Sequence, residues 1–347
     1  MTFYIAGYPH HVGGAGQHLW GLIRAWRSIG IDVVLLAKAG RKKDWHSRLE
    51  ELGVRFAPAK KQWEAVGEGD IVGAWCSKTF CKRAVKFHER GCRLVWNGCM
   101  TYAMADELPV HATFRFDRVV VNSSYGESRL RPLLEKAYEY DPSHIVRIPT
   151  AFWADEWEFN PYHGPFTIGR LSRATEDKYD PSLWRMYGRI RDTLSGNCKA
   201  RVMAWNETLE QMRGKPPKWV ECLKAKTEDA ETFLHSLSAL VFFNGSAKEN
   251  RSRVVFESMA CGVPVIVKNE CGFREQIIHG ETGFLCEDEC HAVECAVRLA
   301  RDEEFRLRIA RQARENLPNI ADNHAIAEAW RTLLESLSND ARQAEAA

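Results

Sequence analysis

The sequence predicts an α/β fold: two Rossmann-like, doubly wound parallel-sheet domains facing a cleft. Three observations carry this prediction. Short apolar runs recur that do not alternate strictly, as strands covered on both faces would, and segments of helical period separate them. The rhythm occurs twice, with one irregular interruption near residue 150. The length of 347 residues suits about two domains.

The elements follow in order. Phe3–Gly7 is an apolar run followed by the glycine-rich Gly13-Gly14-Ala15-Gly16. A helix then places Leu19, Leu22, Ile23 and Trp26 at i, i+3, i+4 and i+7, with Gly30 as its terminating glycine. Strands are expected at Ile31–Ala37, Ile71–Trp75, Arg93–Trp96, Arg118–Asn122 and Ile145–Ile148. Residues 149–164, PTAFWADEWEFNPYHG, have two prolines, several aromatics and no period. The division read from this is an N-terminal domain 1–150, a linker 151–164, a C-terminal domain 165–320 and a final helix and tail 321–347 that packs back toward the N-terminal domain. In the second set, strands fit Phe166–Gly169, Ala200–Ala204, Trp219–Leu223, Ala239–Phe243 and Val263–Val267. Helices fit Pro181–Thr193, Asp229–Leu237, Arg253–Cys261, His291–Arg301, Glu304–Asn316 and Asn323–Leu337. The polar, alanine-rich end from Asn339 is expected to fray.

A composition of 45% hydrophobic and 27% charged residues excludes a disordered chain. No apolar run reaches 18 residues and no leader pattern opens the chain, so the expectation is a cytoplasmic protein, with peripheral contact at the inner membrane face left open. Residues 1–150 carry 22 Lys and Arg against 15 Asp and Glu, whereas the remainder carries 26 against 31. The basic half is the one suited to an anionic partner or surface. There are eleven cysteines. Cys286, Cys290 and Cys295, with His291 beside them, lack paired CxxC spacing, and are read as reduced thiols. No metal and no cofactor are expected.

The chemistry concentrates in KENRSRVVFESMACGVPVIVKNECGFREQIIHGETGFL. Glu249 follows an apolar strand in a polar loop, and Glu257 lies about a turn into the next helix. The amides of a helix N-terminus between them form a natural anion site, and a carboxylate suits vicinal hydroxyls. Together these describe a nucleotide sugar. By spacing alone, a surface Glu and a helix Glu of an ordinary αβ unit are the better reading.

This segment resembles the E-x7-E signature of retaining glycosyltransferase family 4, which has the GT-B fold. Glu257 through Val265 resemble the family's E-A-M-A-C-G-x-P-V, and Gly272–Glu275 and Gly280–Leu285 resemble its two following elements, with His279 at an acidic position. The resemblance implies a nucleotide-sugar donor such as a UDP-sugar. It assigns Glu257 to the ribose, Glu249 to the donor sugar, and the amides of Asn250, Arg251, Ser252 and Arg253 to sugar and phosphate. Gly14, Ala15 and Gly16 resemble the family's loop near the pyrophosphate and acceptor. In IGRLSRATEDK, Arg170 matches the Arg that neutralises the leaving phosphate. For the companion Lys, Lys178 is chosen, with Arg173 as competitor. Fixed cations aimed at developing charge lower the barrier.

One departure stands out. Where family members often carry a His, this chain has Leu94–Thr101 without one. Asn97 is then the candidate near the reacting carbon. Thr101, Asp106, Glu107 and His11, with His10 beside it, are acceptor-side candidates. Retaining transfer can use the leaving phosphate as base, so this departure does not exclude the reaction. The acceptor is read as a glycan or lipid-linked glycan. The alternatives are a modified DNA base, as in phage-type enzymes of the same fold, and a non-catalytic nucleotide-sugar-binding module.

Overall fold

The computed structural model describes residues 1–9, 14–36, 43–58, 62–75, 78–101, 110, 115–138 and 141–346. The chain forms two compact units, Met1–Phe152 with Ala321–Ala347, and Trp153–Ile320.

The first unit is built on a seven-stranded parallel sheet. Its strands are β1 (Thr2–Ala6), β2 (Asp32–Leu35), β3 (Arg55–Phe56), β4 (Ile71–Ala74), β5 (Arg93–Gly98), β6 (Arg118–Val121) and β7 (Ile145–Arg147), in the order 3-2-1-4-5-6-7. Helices α1 (Gly14–Ser28), α2 (Lys43–Glu51), α3 (Lys78–Cys81), α4 (Ala84–Glu89) and α5 (Ser124–Tyr138) connect them. Leu19, Leu22, Ile23 and Trp26 are all fully buried, so the helical period read for α1 is the face it packs on the sheet. Gly30 ends that helix with φ of +79°, which an L side chain adopts at a cost.

The second unit has a six-stranded parallel sheet: β8 (Thr167–Leu171), β9 (Lys199–Met203), β10 (Val220–Leu223), β11 (Ala239–Phe242), β12 (Val265–Lys268) and β13 (Phe284–Cys286), ordered 10-9-8-11-12-13. Its helices are α6 (Leu183–Thr193), α7 (Glu207–Arg213), α8 (Ala230–Leu234), α9 (Arg253–Cys261), α10 (Glu289–Arg301) and α11 (Glu303–Ile320). All four residues of β11 are buried, as an apolar central strand with helices on both faces requires. Each order reverses once, between β1 and β4 and between β8 and β11. Open parallel sheets bind ligands outside the carboxyl ends of the strands at such a reversal.

Residues 153–164 are held on the second unit. The Asn160 amide donates to the Cys261 carbonyl at 3.2 Å, the Glu158 amide to Glu231 at 2.6 Å, and Arg314 to the Trp157 carbonyl at 3.2 Å. The chain returns at Asn323, whose side-chain amide exchanges two hydrogen bonds with the Phe152 backbone, at 2.9 and 3.0 Å. Helix α12 (Asn323–Ala346) then packs on α1. Trp330 meets Trp26 edge-on at 5.1 Å and Phe3 at 5.7 Å. This helix continues through Ala346, so the fraying expected from Asn339 is corrected: its alanine-rich composition extends the helix instead. Among the described residues, no helix is long and apolar enough to cross a membrane.

Gly188 sits inside α6, and a Cβ placed there meets nothing within 4 Å. Gly188→Ala is expected to raise the urea midpoint, by about 0.5–1 kcal/mol of stability. A lowered midpoint would contradict the helical backbone assigned to that position.

Candidate functional site

The candidate donor site lies at the carboxyl ends of β8 and β11. Arg170 is near the end of β8 and has no exposed surface. Its guanidinium lies 4.4 Å from the Phe242 ring centre and 4.8 Å from that of Tyr179. It donates to Asn244 Oδ1 at 2.9 Å and to the Lys178 carbonyl. Its Nε and Nη1 are buried and make no hydrogen bond among the described residues. Burial pushes the guanidinium below its ordinary value, and the field of Tyr179, Tyr187 and Glu249 works in the opposite direction.

Asn244 carries the chain onward. Its Nδ2 donates to Glu249 Oε1 at 3.1 Å, and the same oxygen receives Lys178 Nζ at 2.5 Å. The Lys178 and Glu249 side chains are only 13% and 15% exposed, so little water screens the pair. Of the two candidate cations, Lys178 is the one that pairs with Glu249. Arg173 is exposed on the same loop and outside this network. Arg170, expected as the cation that neutralises the leaving phosphate, is enclosed by the sheet end and reaches Glu249 through Asn244.

Two loops interlock to hold these groups. The Ala247 amide donates to the Asp177 carbonyl at 2.9 Å and the Asp180 amide to the Phe243 carbonyl at 3.3 Å. Gly245 allows the approach, since a Cβ there would stand 2.9 Å from the Tyr179 carbonyl oxygen. Arg213 donates to the Tyr179 carbonyl at 2.8 Å and to the Glu176 carbonyl at 3.1 Å. Nothing in the local sequence marked Arg213 or Asn244 for these roles.

Helix α9 begins beside the Glu249 loop. Ser252 occupies its N-cap without using its hydroxyl as a cap. The Ser252 amide instead donates to Gln276 Oε1 at 2.8 Å, while Gln276 Nε2 donates to the Ser252 carbonyl at 3.0 Å. The Ser252 amide, expected to meet the donor, is therefore already engaged. Arg251 is also redirected: it donates to the Ile320 carbonyl and lies 5.3 Å from the Phe256 ring centre, with burial pushing it down to about 10. Asn250 is buried beside it. Glu257 is 9% exposed and accepts from Arg253 Nε at 3.3 Å. Burial pushes its carboxyl above the ordinary range, and Arg253 pulls it back.

In the first unit, Asn97 is buried on β5, and neither polar atom of its side chain has a hydrogen-bond partner among the described residues. Gly14, Ala15 and Gly16 form the first turn of α1, and the Ala15 carbonyl accepts from Trp75 Nε1 at 2.6 Å. They are helical, which corrects their reading as a turn ahead of the helix. Thr101 is half-buried. Gly13, His10, His11, Asp106 and Glu107 lie outside the described residues.

Two doubly wound parallel sheets, with a charged network at the reversal point of the second, make up a GT-B fold. Residues 216–316, which contain Glu249 and Glu257, match the family model for glycosyl transferases group 1. The chain is 42% identical over 74 residues to N-acetyl-alpha-D-glucosaminyl L-malate synthase of Bacillus anthracis, covering 21% of this chain and 19% of that protein. It is 24% identical over 208 residues to trehalose synthase of Pyrococcus horikoshii, covering 54% and 46%. The chain thus matches less than half the length of either curated relative. The crystal structure of Anabaena HepE in complex with UDP-glucose superposes with a TM-score of 0.70 at 16% identity, over 97% of this chain and 100% of that one.

Proposed function

We propose that the chain is a retaining glycosyltransferase that moves a sugar from a nucleoside-diphosphate donor, a UDP-sugar, to an acceptor hydroxyl. The observation that carries this reading is the hydrogen-bonded series Lys178–Glu249–Asn244–Arg170 at the β8–β11 reversal, beside the N-terminus of α9. The helix N-terminus suits a phosphate. Glu257 on that helix suits the ribose hydroxyls, and Glu249 the hydroxyls of the sugar.

In the proposed reaction the bond between the anomeric carbon and the leaving phosphate oxygen breaks as the acceptor oxygen attacks from the same face. The acceptor proton passes to the leaving diphosphate. Negative charge grows on that diphosphate, where Lys178 and Arg170 stabilise it. Asn97 is proposed to hydrogen-bond the sugar. No metal is assigned to the transfer, since the two cations supply the charge. UDP is favoured because the HepE structure holds UDP-glucose.

The first unit is proposed to take the acceptor, a glycan or lipid-linked glycan. The excess of basic residues in 1–150 favours a second reading, a modified base in DNA. Acceptor affinity that falls steeply with salt would select the DNA reading.

A thermal-shift screen of UDP-, GDP- and ADP-sugars tests the donor side. A donor at a hundredfold over its dissociation constant is expected to add about 2.7 kcal/mol of stability. The reading fails if no nucleotide sugar shifts unfolding or is consumed, or if Glu257→Ala leaves the shift unchanged.

A further inference from the structure

On the far side of β12 from the donor site, β13 and α10 bring together four side chains that the proposed transfer does not use. Cys286 ends β13 and has no exposed surface, and Cys295 is buried on α10. Asp288 caps α10 by accepting from the His291 amide at 2.9 Å, which fixes the first turn. His291 and Cys295 are then four residues apart on one helical face. The ligand atoms of Cys286, His291 and Cys295 all lie within 4.8 Å of one another. His279 approaches from the turn before β13, its ring centre 5.4 Å from that of His291.

We infer that Cys286, Cys295 and His291 form a structural zinc site, with His279, whose nitrogens lie outside that 4.8 Å group, moving in as the fourth ligand. The geometry points to a tetrahedron. Zinc bound by two thiolates at about 2.3 Å holds the sulfurs about 3.8 Å apart, and Sγ of Cys286 and Sγ of Cys295 stand 3.8 Å apart. The donor set is the two-sulfur, two-nitrogen type zinc favours.

The surrounding contacts suit metal binding. His279 Nδ1 lies 3.0 Å from the Leu285 carbonyl oxygen. The Leu285 amide donates to the same Nδ1 at 3.2 Å; binding of the ion through Nε2 moves the proton to Nδ1, which then donates to the carbonyl, as outer partners of zinc-bound histidines do. The thiols lie inside and the imidazoles toward solvent, so an ion enters from the histidine side. Four protein ligands leave no open position, which marks the site as structural. Its effect is to tie the edge strand β13 to α10. The sequence shows Cys286, His291 and Cys295 together, but without paired CxxC spacing they read as reduced thiols, and His279 stands apart from them.

The test uses the full chain. Expressed with zinc available and exchanged into metal-free reducing buffer, it is expected to retain one zinc per chain by mass spectrometry of the metal. Stripped and titrated with cobalt(II) chloride, it is expected to show the intense visible absorption of a tetrahedral thiolate site. Cys286→Ser and Cys295→Ser should abolish that absorption. Both cysteines are buried and those variants can misfold, so His279→Ala and His291→Ala, on the outer side, are measured as well. Each is expected to weaken cobalt binding by about tenfold or more. Donor-induced thermal shifts should be unchanged in the histidine variants, which separates this result from the transfer reading. The assignment is overturned if the stripped chain gives no tetrahedral cobalt spectrum. It is equally overturned if both histidine variants bind cobalt as before, or if the intact mass is lower by two hydrogens, showing a Cys286–Cys295 disulfide.

Discussion

Lys178→Met is expected to lower kcat/KM for sugar transfer by about 10²–10³, and Glu249→Gln is expected to lower it comparably. The estimate for Lys178 follows from the cost of removing one fixed group that faces developing charge. Glu249 matters in two ways under the proposal, by contacting the sugar and by holding Lys178 Nζ at 2.5 Å. Both side chains are largely withdrawn from water, so each single variant also strands a charge. The stability cost should fall toward the low end of about 3–5 kcal/mol, because both groups keep some solvent contact. The double variant separates the two roles. With both charges gone, stability should recover part of the summed loss, whereas transfer should stay at the level of the worse single variant. Urea denaturation and donor turnover measured on all three proteins decide the matter. A double variant that regains transfer along with stability would show the pair to be structural only.

The contrast between legible and hidden parts of this molecule has a physical basis. Central strands such as Ala239–Phe242 are buried on both faces, so they appear as uninterrupted apolar runs. The strands that escaped notice, Arg55–Phe56 and Phe284–Cys286, are edge strands of two and three residues and leave almost no pattern. Helix Glu207–Arg213 buries only Leu209, too little for an amphipathic period. The site divides in the same way. Glu249 and Glu257 were legible because one contiguous strand–loop–helix carries both. Asn244 was not, because its partner Arg170 is 74 residues away and only the parallel pairing of β8 with β11 brings them together. Gln276 was hidden for a similar reason, since its clamp on Ser252 joins loops 24 residues apart. Arg170 was legible as a residue, but its burial was not, because enclosure depends on Phe242 and Tyr179 closing over it.

Gly272→Ala is expected to abolish the donor-induced thermal shift and the transfer activity together. Gly272 is buried, and its amide donates to the Glu249 carbonyl at 3.0 Å. A Cβ added there would stand 1.4 Å from the Asn250 carbonyl oxygen and 2.5 Å from its carbon. These are backbone atoms, so no rotamer change relieves the overlap, and the 249–250 segment must move. Glu249 moves with it, away from Lys178 and Asn244. The stability cost should lie at or beyond the upper end of about 1–3 kcal/mol for overpacking. Gly280→Ala supplies the control. A Cβ there meets nothing within 4 Å, but φ is +79°, so the variant pays about 1–2 kcal/mol for a left-handed backbone without displacing the loop. Comparable instability with intact donor binding in Gly280→Ala, and lost binding in Gly272→Ala, would assign the second glycine element to positioning Glu249. Retention of the donor shift in Gly272→Ala would remove that assignment, whatever its stability.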